Sequence, residues 1–257
     1  MDLTFYERLK LELSTEKPYF QNEMRSLFIV SLETGVASGI EVAYQFVKFI
    51  NPEIEIRIHK VDGALMKPGD VLLSLIGMSH QTFNMAKLLV RLISRMSGIA
   101  TFAKYYVEQL APTKILDAHF YTPGIKHIEK QALSHGGVMD LDFRYVSKEE
   151  IKLLGGLKSA YDKLADETII LCYEITSLAD FYDVIRLNLN IHYLMLTGFN
   201  IDQLKQIKDD NEDLVLIVQG NYRPDQLETL KQLEFPYLET SFLTKAARNL
   251  DIIYLFE

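Results

Sequence analysis

Six polar side chains lie at the ends of short apolar segments that the sequence predicts to be β-strands. They are Asp117, His119, Glu174, Thr197, Gln219 and Ser241. Carboxylates and imidazoles are the side chains that most often exchange protons with a bound ligand, so Glu174, His119 and Asp117 are the catalytic candidates. If the strands are parallel and form a barrel, their carboxyl ends meet at one mouth. We therefore expect the six residues to line a single pocket, although they are spread over nearly half of the chain.

Strands and helices alternate in the second half of the chain, and this alternation would bring those side chains together. Apolar runs predict strands at 115–117, 141–146, 168–173, 191–196, 214–218, 237–239 and 252–255. Apolar residues at three- and four-residue spacing predict helices at 178–187, 201–208 and 224–233. Repeated strand–helix units of this length indicate parallel strands with right-handed crossovers. The pattern leaves two architectures open, a barrel and an open doubly wound sheet.

The first half of the chain carries short strands that predict a separate small sheet. Strands are predicted at 27–31, 54–58 and 71–77, and helices at 39–49 and 85–110. We expect residues 1–110 to form an N-terminal α/β sandwich with the long linking helix. Residues 111–257 then form the α/β barrel domain.

Composition excludes several classes of function. A formal net charge of −8 and a pI near 5.3 argue against nucleic acid or an anionic membrane as partner, because both are bound through cationic surface. A small anionic or sugar-phosphate ligand stays open, since its cations can be local. Cys172 is the single cysteine, which excludes an intrachain disulfide and a multi-thiolate zinc site. With no long apolar run and no secretory pattern at Met1, we expect a cytoplasmic protein.

Four short motifs occur in an order and at spacings that resemble a known family. They are Ser-Gly-Ile-Ala-Thr at 97–101, Ile-Leu-Asp at 115–117, Thr-Pro-Gly-Ile-Lys at 122–126 and Gly136-Gly137. The chain resembles the quinolinate phosphoribosyltransferases, or nicotinate-nucleotide pyrophosphorylases, of NAD biosynthesis. The resemblance implies an N-terminal α/β sandwich on an incomplete, seven-stranded α/β barrel of the type II phosphoribosyltransferase kind. It also implies a homodimer in which one subunit's N-terminal domain covers the other's barrel mouth.

The resemblance implies roles for individual residues. In that family a carboxylate at the position of Glu174 holds the ribose hydroxyls or the metal, and the counterpart of Asp117 orients a neighbour. Lys87 and Lys126 stand where the family has arginines, the first of which reaches into the neighbouring active site. Ligand contacts are further implied for Thr197, Gln219, Gly220, Ser241 and Phe242, the last four through backbones that face the phosphate. No tightly bound cofactor is implied, although Mg²⁺ accompanies the substrate phosphoribosyl pyrophosphate.

The same motifs depart from the family where its cations belong. Between Asp117 and Thr122 the family carries an Arg-Lys pair, whereas this chain reads Ala118-His119-Phe120-Tyr121. A deletion after Gly137 removes a further Asn-His-Arg set. Because the family reaction joins two anionic substrates and needs positive charge at its site, we expect quinolinate transfer to be negligible.

Three functions stay open at this point. The first is a family enzyme with altered or weak phosphoribosyl transfer, on a substrate without two carboxylates. The second is a non-catalytic ligand-binding or regulatory homologue, and the third is a subunit that pairs with an active paralogue whose site Lys87 would complete. His119 has the alternative of a hydrogen-bonded structural group, the commoner use of a lone histidine. Lys87 and Lys126 have the alternative of ordinary solvated lysines.

Overall fold

The computed structural model describes residues 3–13, 18–211 and 213–257, which fold into two compact units. Unit 1 comprises Met1–Tyr105, His119–Gly137 and Leu243–Glu257, and unit 2 comprises Tyr106–Ala118 and Val138–Phe242. The boundary between residues 110 and 111 stays a prediction, since the two units are interleaved in the sequence.

Unit 1 is built around a four-stranded antiparallel sheet. Its strands are β1 (Met24–Ser31), β3 (Glu55–Ile58), β5 (Val71–Met78) and β12 (Ile252–Phe256), in the order β12-β1-β5-β3. A two-stranded ribbon consists of β2 (Gly35–Val36) and β4 (Leu65–Met66). The helices are α1 (Leu3–Leu11), α2 (Ile40–Ile50), α4 (Lys126–His135) and most of α3 (Ser79–Leu110). The predicted long helix is present and begins at Ser79 rather than at residue 85.

The last strand belongs to unit 1, which corrects the prediction that 252–255 continues the strand–helix alternation of the barrel. β12 pairs antiparallel with β1, so that Leu27 lies opposite Phe256 and Ile29 opposite Tyr254. The apolar pattern of a strand indicates its buried face but not which sheet supplies its hydrogen-bonding partner. That choice is made by contacts between residues far apart in sequence.

The motif at 97–101 is a packing motif of unit 1. Thr101 Oγ1 accepts a hydrogen bond from Val36 N over 2.8 Å, which ties β2 to α3. A Cβ atom added to Gly98 would overlap the carbonyl oxygen of Arg248, so only glycine allows the C-terminal segment to lie this close to α3. The motif that carries the family resemblance therefore has a structural function within this unit.

The glycine pair after α4 has a similar explanation. Gly137 has a φ of 91°, a left-handed conformation that glycine adopts without steric cost. A Cβ added to Gly136 would lie 2.5 Å from the carbonyl oxygen of Ala100. The glycine pair therefore forms a helix end that packs on α3.

Unit 2 contains a sheet of six parallel strands. They are β6 (Lys114–Leu116), β7 (Arg144–Val146), β8 (Leu171–Ile175), β9 (Tyr193–Thr197), β10 (Val215–Gln219) and β11 (Tyr237–Glu239), in the order β6-β11-β10-β9-β8-β7. The helices are α5 (Lys148–Leu153), α6 (Leu157–Leu164), α7 (Leu178–Arg186), α8 (Ile201–Asp209) and α9 (Leu227–Gln232), and α10 (Phe242–Lys245) follows β11. A single parallel bridge joins Leu116 to Met139. The predicted fold class, an α/β sandwich with an incomplete α/β barrel, is confirmed, and Met139 supplies the seventh parallel position.

A layer of buried apolar side chains lies on the parallel sheet. Leu116, Cys172, Met195 and Ile217 come from four different strands and are buried together. β8 begins at Leu171, later than the predicted 168, because the preceding isoleucines are exposed despite their strand-forming preference. β8 also ends later than predicted, at Ile175 instead of residue 173, so Glu174 lies inside β8 rather than after it.

Candidate functional site

The ends of three neighbouring parallel strands bring predicted residues together in unit 2. Thr197 closes β9, and its Oγ1 donates a hydrogen bond to Gln219 Oε1 at the end of β10 over 3.0 Å. Gln219 Nε2 donates in turn to Glu239 Oε1 at the end of β11, with a longer separation of 3.4 Å. A series of side-chain hydrogen bonds therefore connects the ends of β9, β10 and β11, in the place where α/β barrels hold their ligands.

Glu239 is a member of this chain of hydrogen bonds that the sequence prediction missed. Its side chain is buried, and burial is the main cause that raises the pKa of its carboxyl to about 7. The negative charges of Asp117, which follows β6, and of Glu174 also raise this pKa, whereas the hydrogen bond from Gln219 lowers it. The available signal was an acid that closes an apolar strand, the same signal that singled out Glu174.

Glu174 has a structural contact of its own. It is 8% exposed, and its Oε2 accepts a hydrogen bond from Lys148 N over 2.8 Å, at the first residue of α5. Burial and a hydrogen bond to Glu174 raise the pKa of Tyr145 on β7. The carboxylate thus holds the start of α5 beside β8, in addition to any contact with a ligand.

A cavity of about 480 Å³ opens beside Glu174. Its polar lining comprises Lys148, Lys152, Glu174, Thr176 and Asp180. The two lysines lie one turn apart on α5 and therefore share a face of that helix. The cavity combines ammonium groups with carboxylates, which suits a molecule that carries both an anionic group and hydroxyl groups.

The main-chain amides that were predicted to bind phosphate donate to the protein itself. Gly220 N donates to a main-chain oxygen of β11 over 3.1 Å, and Phe242 N donates to Thr240 Oγ1 over 3.2 Å. Ser241 Oγ donates to Asn221 Oδ1 over 2.7 Å. A phosphate at this position would replace these bonds, so the phosphate role of Gly220, Ser241 and Phe242 stays a prediction.

Three other predicted residues lie in unit 1, where each meets an aromatic ring. Lys87 Nζ lies 4.3 Å from the centroid of the Phe83 ring, and Lys126 Nζ lies 5.6 Å from that of Tyr121. The rings of His119 and Tyr121 meet edge to face, with their centroids 6.2 Å apart. His119 has a φ of 52°, a left-handed conformation uncommon for residues other than glycine.

An ion pair in unit 1 between a buried glutamate and a half-buried arginine was not predicted. Glu129 on α4 is 1% exposed, and its Oε1 lies 3.1 Å from Nη2 of Arg95 on α3. Its Oε2 accepts a hydrogen bond from Thr122 N over 2.7 Å. Arg95 also donates to the carbonyl oxygens of Thr244 and Ala247, each over 2.8 Å. Both residues lie within helices, whereas the sequence prediction selected polar residues at the ends of strands. No pattern in the sequence therefore indicated this ion pair.

Arg95 lines a second cavity, of about 340 Å³, within unit 1. The other lining residues are Phe120, Tyr121, Thr122, Pro123, Thr244 and Lys245. Lys245 Nζ lies 4.0 Å from the centroid of the Phe120 ring, within the range of a cation–π contact. Phe120 therefore packs against a cation of its own unit.

Neither a metal-binding group of side chains nor a membrane-spanning helix is found in residues 3–13, 18–211 and 213–257. Within these ranges, no three His, Cys, Asp or Glu side chains are grouped so that they could hold a metal ion. In the same part of the chain, no helix is both long and apolar enough to cross a bilayer. Mg²⁺ that arrives with phosphoribosyl pyrophosphate stays a prediction.

Comparison with known proteins identifies the family. Residues 99–254, more than half of the chain, match the family model described as "Quinolinate phosphoribosyl transferase, C-terminal domain". The chain belongs to the quinolinate phosphoribosyltransferase family. The resemblance inferred from the motifs at 97–101 and 122–126 is thereby confirmed.

Relatives of this quinolinate phosphoribosyltransferase family member match most of its length. A probable nicotinate-nucleotide pyrophosphorylase (carboxylating) of Archaeoglobus fulgidus is 26% identical over 238 residues, which cover 87% of this chain and 91% of that protein. A probable enzyme of the same name from Bacillus subtilis is 23% identical over 249 residues, covering 93% and 86% of the two chains. The crystal structure of a nicotinate-nucleotide pyrophosphorylase from Ehrlichia chaffeensis has a TM-score of 0.90 at 20% identity and covers 100% of this chain and 99% of its own. This structural likeness shows the fold.

Proposed function

We propose that this family member binds a phosphoribosyl compound at the strand ends of unit 2, and that its phosphoribosyl transfer to quinolinate is altered or weak. Support for binding comes from Glu174, which lies beside a cavity that Lys148 and Lys152 also line. A carboxylate accepts hydrogen bonds from ribose hydroxyls, and ammonium groups attract phosphate. Phosphoribosyl transfer is the reaction class of the family.

The observation that carries the proposal of weak transfer is the negative charge at the strand ends. Asp117 and Glu174 interact electrostatically with the buried carboxyl of Glu239, and the residues between them, Thr197 and Gln219, are neutral. Quinolinate brings two carboxylates, and phosphoribosyl pyrophosphate brings several phosphate charges. Losing one charged partner of a bound ion costs about 2 to 5 kcal/mol, so the missing Arg-Lys pair at 119–120 removes a large part of the binding free energy.

Several predictions about partners belong to the same proposal. We propose that Mg²⁺ arrives bound to the pyrophosphate group, that Asp117 keeps the orienting role implied by the family, and that His119 exchanges a proton with the ligand. The protein is expected to be a cytoplasmic homodimer, in which Lys87 of one subunit serves the site of the other. A small ligand, rather than nucleic acid or a membrane, is the expected partner.

The binding half of the proposal is tested by the thermal shift of purified protein with phosphoribosyl pyrophosphate and Mg²⁺. A ligand that binds only the native state raises Tm. We expect a shift that Glu174→Gln abolishes and Lys208→Gln preserves, since Lys208 on α8 forms an ion pair of 3.4 Å with Glu234, whose side chain is exposed. Because Glu174 also holds the start of α5, each variant's shift is measured from its own unliganded Tm.

The catalytic half is tested by the rate of nicotinate mononucleotide formation from quinolinate. Ordinary turnover, about 1 per second or more, would contradict weak transfer. Binding of phosphoribosyl pyrophosphate without turnover would favour the non-catalytic homologue. No shift in the wild-type protein would refute the binding site, and an unchanged shift in Glu174→Gln would remove Glu174 from it.

A further inference from the structure

We propose that Glu239 sets the specificity of the strand-end site, by excluding bases that carry carboxylates in favour of uncharged nitrogen heterocycles. The inference rests on the proposed function, because it names the class of base that the same site accepts. It concerns a residue for which the family resemblance implied no role.

The position of the Glu239 carboxyl is fixed from two directions. Its main-chain oxygen accepts a hydrogen bond from Gly220 N over 3.1 Å, and its Oε1 faces Gln219 Nε2 at 3.4 Å. Gln219 is in turn oriented by the hydroxyl of Thr197 over 3.0 Å. With 6% exposure, the carboxyl is held at the strand ends rather than turned into solvent.

The charges that act on Glu239 are those of other carboxylates. Asp117 follows β6 and Glu174 lies in β8, and both act on it by like charge, while Gln219 of β10 is neutral. Cys172 of β8 stays a neutral thiol, since burial and the charges of Glu239 and Glu174 raise its pKa. No lysine or arginine is among the described groups that shift the titration of Glu239.

This arrangement distinguishes ligands by charge. A carboxylate brought beside Glu239 meets a like charge in a site with little solvent, and such pairs interact by one or more pKa units, or about tenfold or more in affinity. An uncharged heterocycle avoids that penalty and can hydrogen-bond to the Gln219 amide and the Glu239 carboxyl. The site therefore discriminates in the direction opposite to a dicarboxylate enzyme.

The test is a titration-calorimetry series with three pyridines that differ in charge: nicotinamide, nicotinate and quinolinate. For the wild-type protein at pH 8 we expect nicotinamide to bind about tenfold or more tightly than quinolinate. Glu239→Gln keeps the shape of the side chain and the oxygen that accepts from Gln219, and it should lower the ratio of nicotinamide affinity to quinolinate affinity by about tenfold. Glu239→Asp keeps the negative charge and should keep the preference for nicotinamide. Glu234→Gln, an exposed position, serves as the matched control.

A pH profile adds a readout that a merely structural role would not change. In the wild-type protein the ratio of nicotinamide affinity to quinolinate affinity should increase from pH 6 to pH 8, as Glu239 loses its proton. In Glu239→Gln this affinity ratio should be nearly independent of pH. Asp117 and Glu174 are present in both proteins and do not account for the difference. If Glu239→Gln fails to fold, Glu239→Thr, which also removes the carboxyl and keeps a hydroxyl acceptor for Gln219, takes its place in both measurements.

Three results would overturn the inference. The first is an equal ratio of nicotinamide to quinolinate affinity in wild type and Glu239→Gln, and the second is a wild-type preference for quinolinate. The third is that none of the three pyridines binds. The thermal shift with phosphoribosyl pyrophosphate separates this failure from that of the proposed function. A retained shift with equal ratios removes only the specificity role of Glu239. A lost shift removes the proposed function as well.

Discussion

At the scale of single residues, the buried carboxyl of Glu239 has a consequence for stability that is independent of any ligand. Its pKa is about 7 in the folded protein, above the ordinary value of 4.5 that applies to the unfolded chain. Between these pH values the folded state binds the additional proton, so the free energy of unfolding falls as pH rises. The penalty is complete above pH 7 and amounts to roughly 3 kcal/mol, at about 1.4 kcal/mol per pKa unit.

Glu239→Gln should therefore raise the free energy of unfolding at pH 8 by more than at pH 5. Urea titrations at the two pH values measure the difference. Glu228→Gln, an exposed position on α9, should change stability equally at both. An equal effect of Glu239→Gln at pH 5 and pH 8 would show that the carboxyl titrates normally in the folded protein.

At the scale of elements, α3 depends on Gly98. Alanine in its place gains about 1 kcal/mol of helix propensity but places a Cβ against the carbonyl oxygen of Arg248. Overpacking costs about 1 to 3 kcal/mol or more, and backbone cannot rotate away as a side chain does, so Gly98→Ala should lower Tm. Gly77→Ala meets only side-chain carbons of Ile54 and Thr82 at 3.3 Å and should be milder. A higher Tm for Gly98→Ala, by differential scanning fluorimetry, would refute this packing role.

At the scale of the whole molecule, unit 1 exposes apolar side chains on its four-stranded sheet. Met24 is 64% exposed and Leu255 50% exposed. Exposed apolar surface on a sheet favours association, and the family resemblance implies a homodimer, so we predict a homodimer at micromolar concentration. Leu255→Lys should weaken it, whereas Leu153→Lys, 87% exposed in unit 2, should not. Analytical ultracentrifugation that finds a stable wild-type monomer would contradict the prediction.

The secondary structure and the two uncharged residues of the candidate site, Thr197 and Gln219, were largely predictable from the sequence. Periodicity located α7 and α8 and the strands that end at Thr197 and Gln219, because both are local properties of the chain. Parallel order then required these two residues to meet, and their side chains are hydrogen-bonded over 3.0 Å. The glycines of the recognised motifs were also visible in the sequence, although their packing function was not.

Tertiary contacts decided the rest. Whether β12 extends the first sheet or the second depends on a partner strand more than 200 residues away, and no local pattern encodes that choice. The same holds for the pair of Arg95 and Glu129, which joins two helices. The sequence alone established the family, the strand–helix order and the loss of cations at 119–120. Only the fold could show that Asp117, Glu174 and Glu239 share one electrostatic environment, because burial and the distance between charges arise from the packing of the whole sheet.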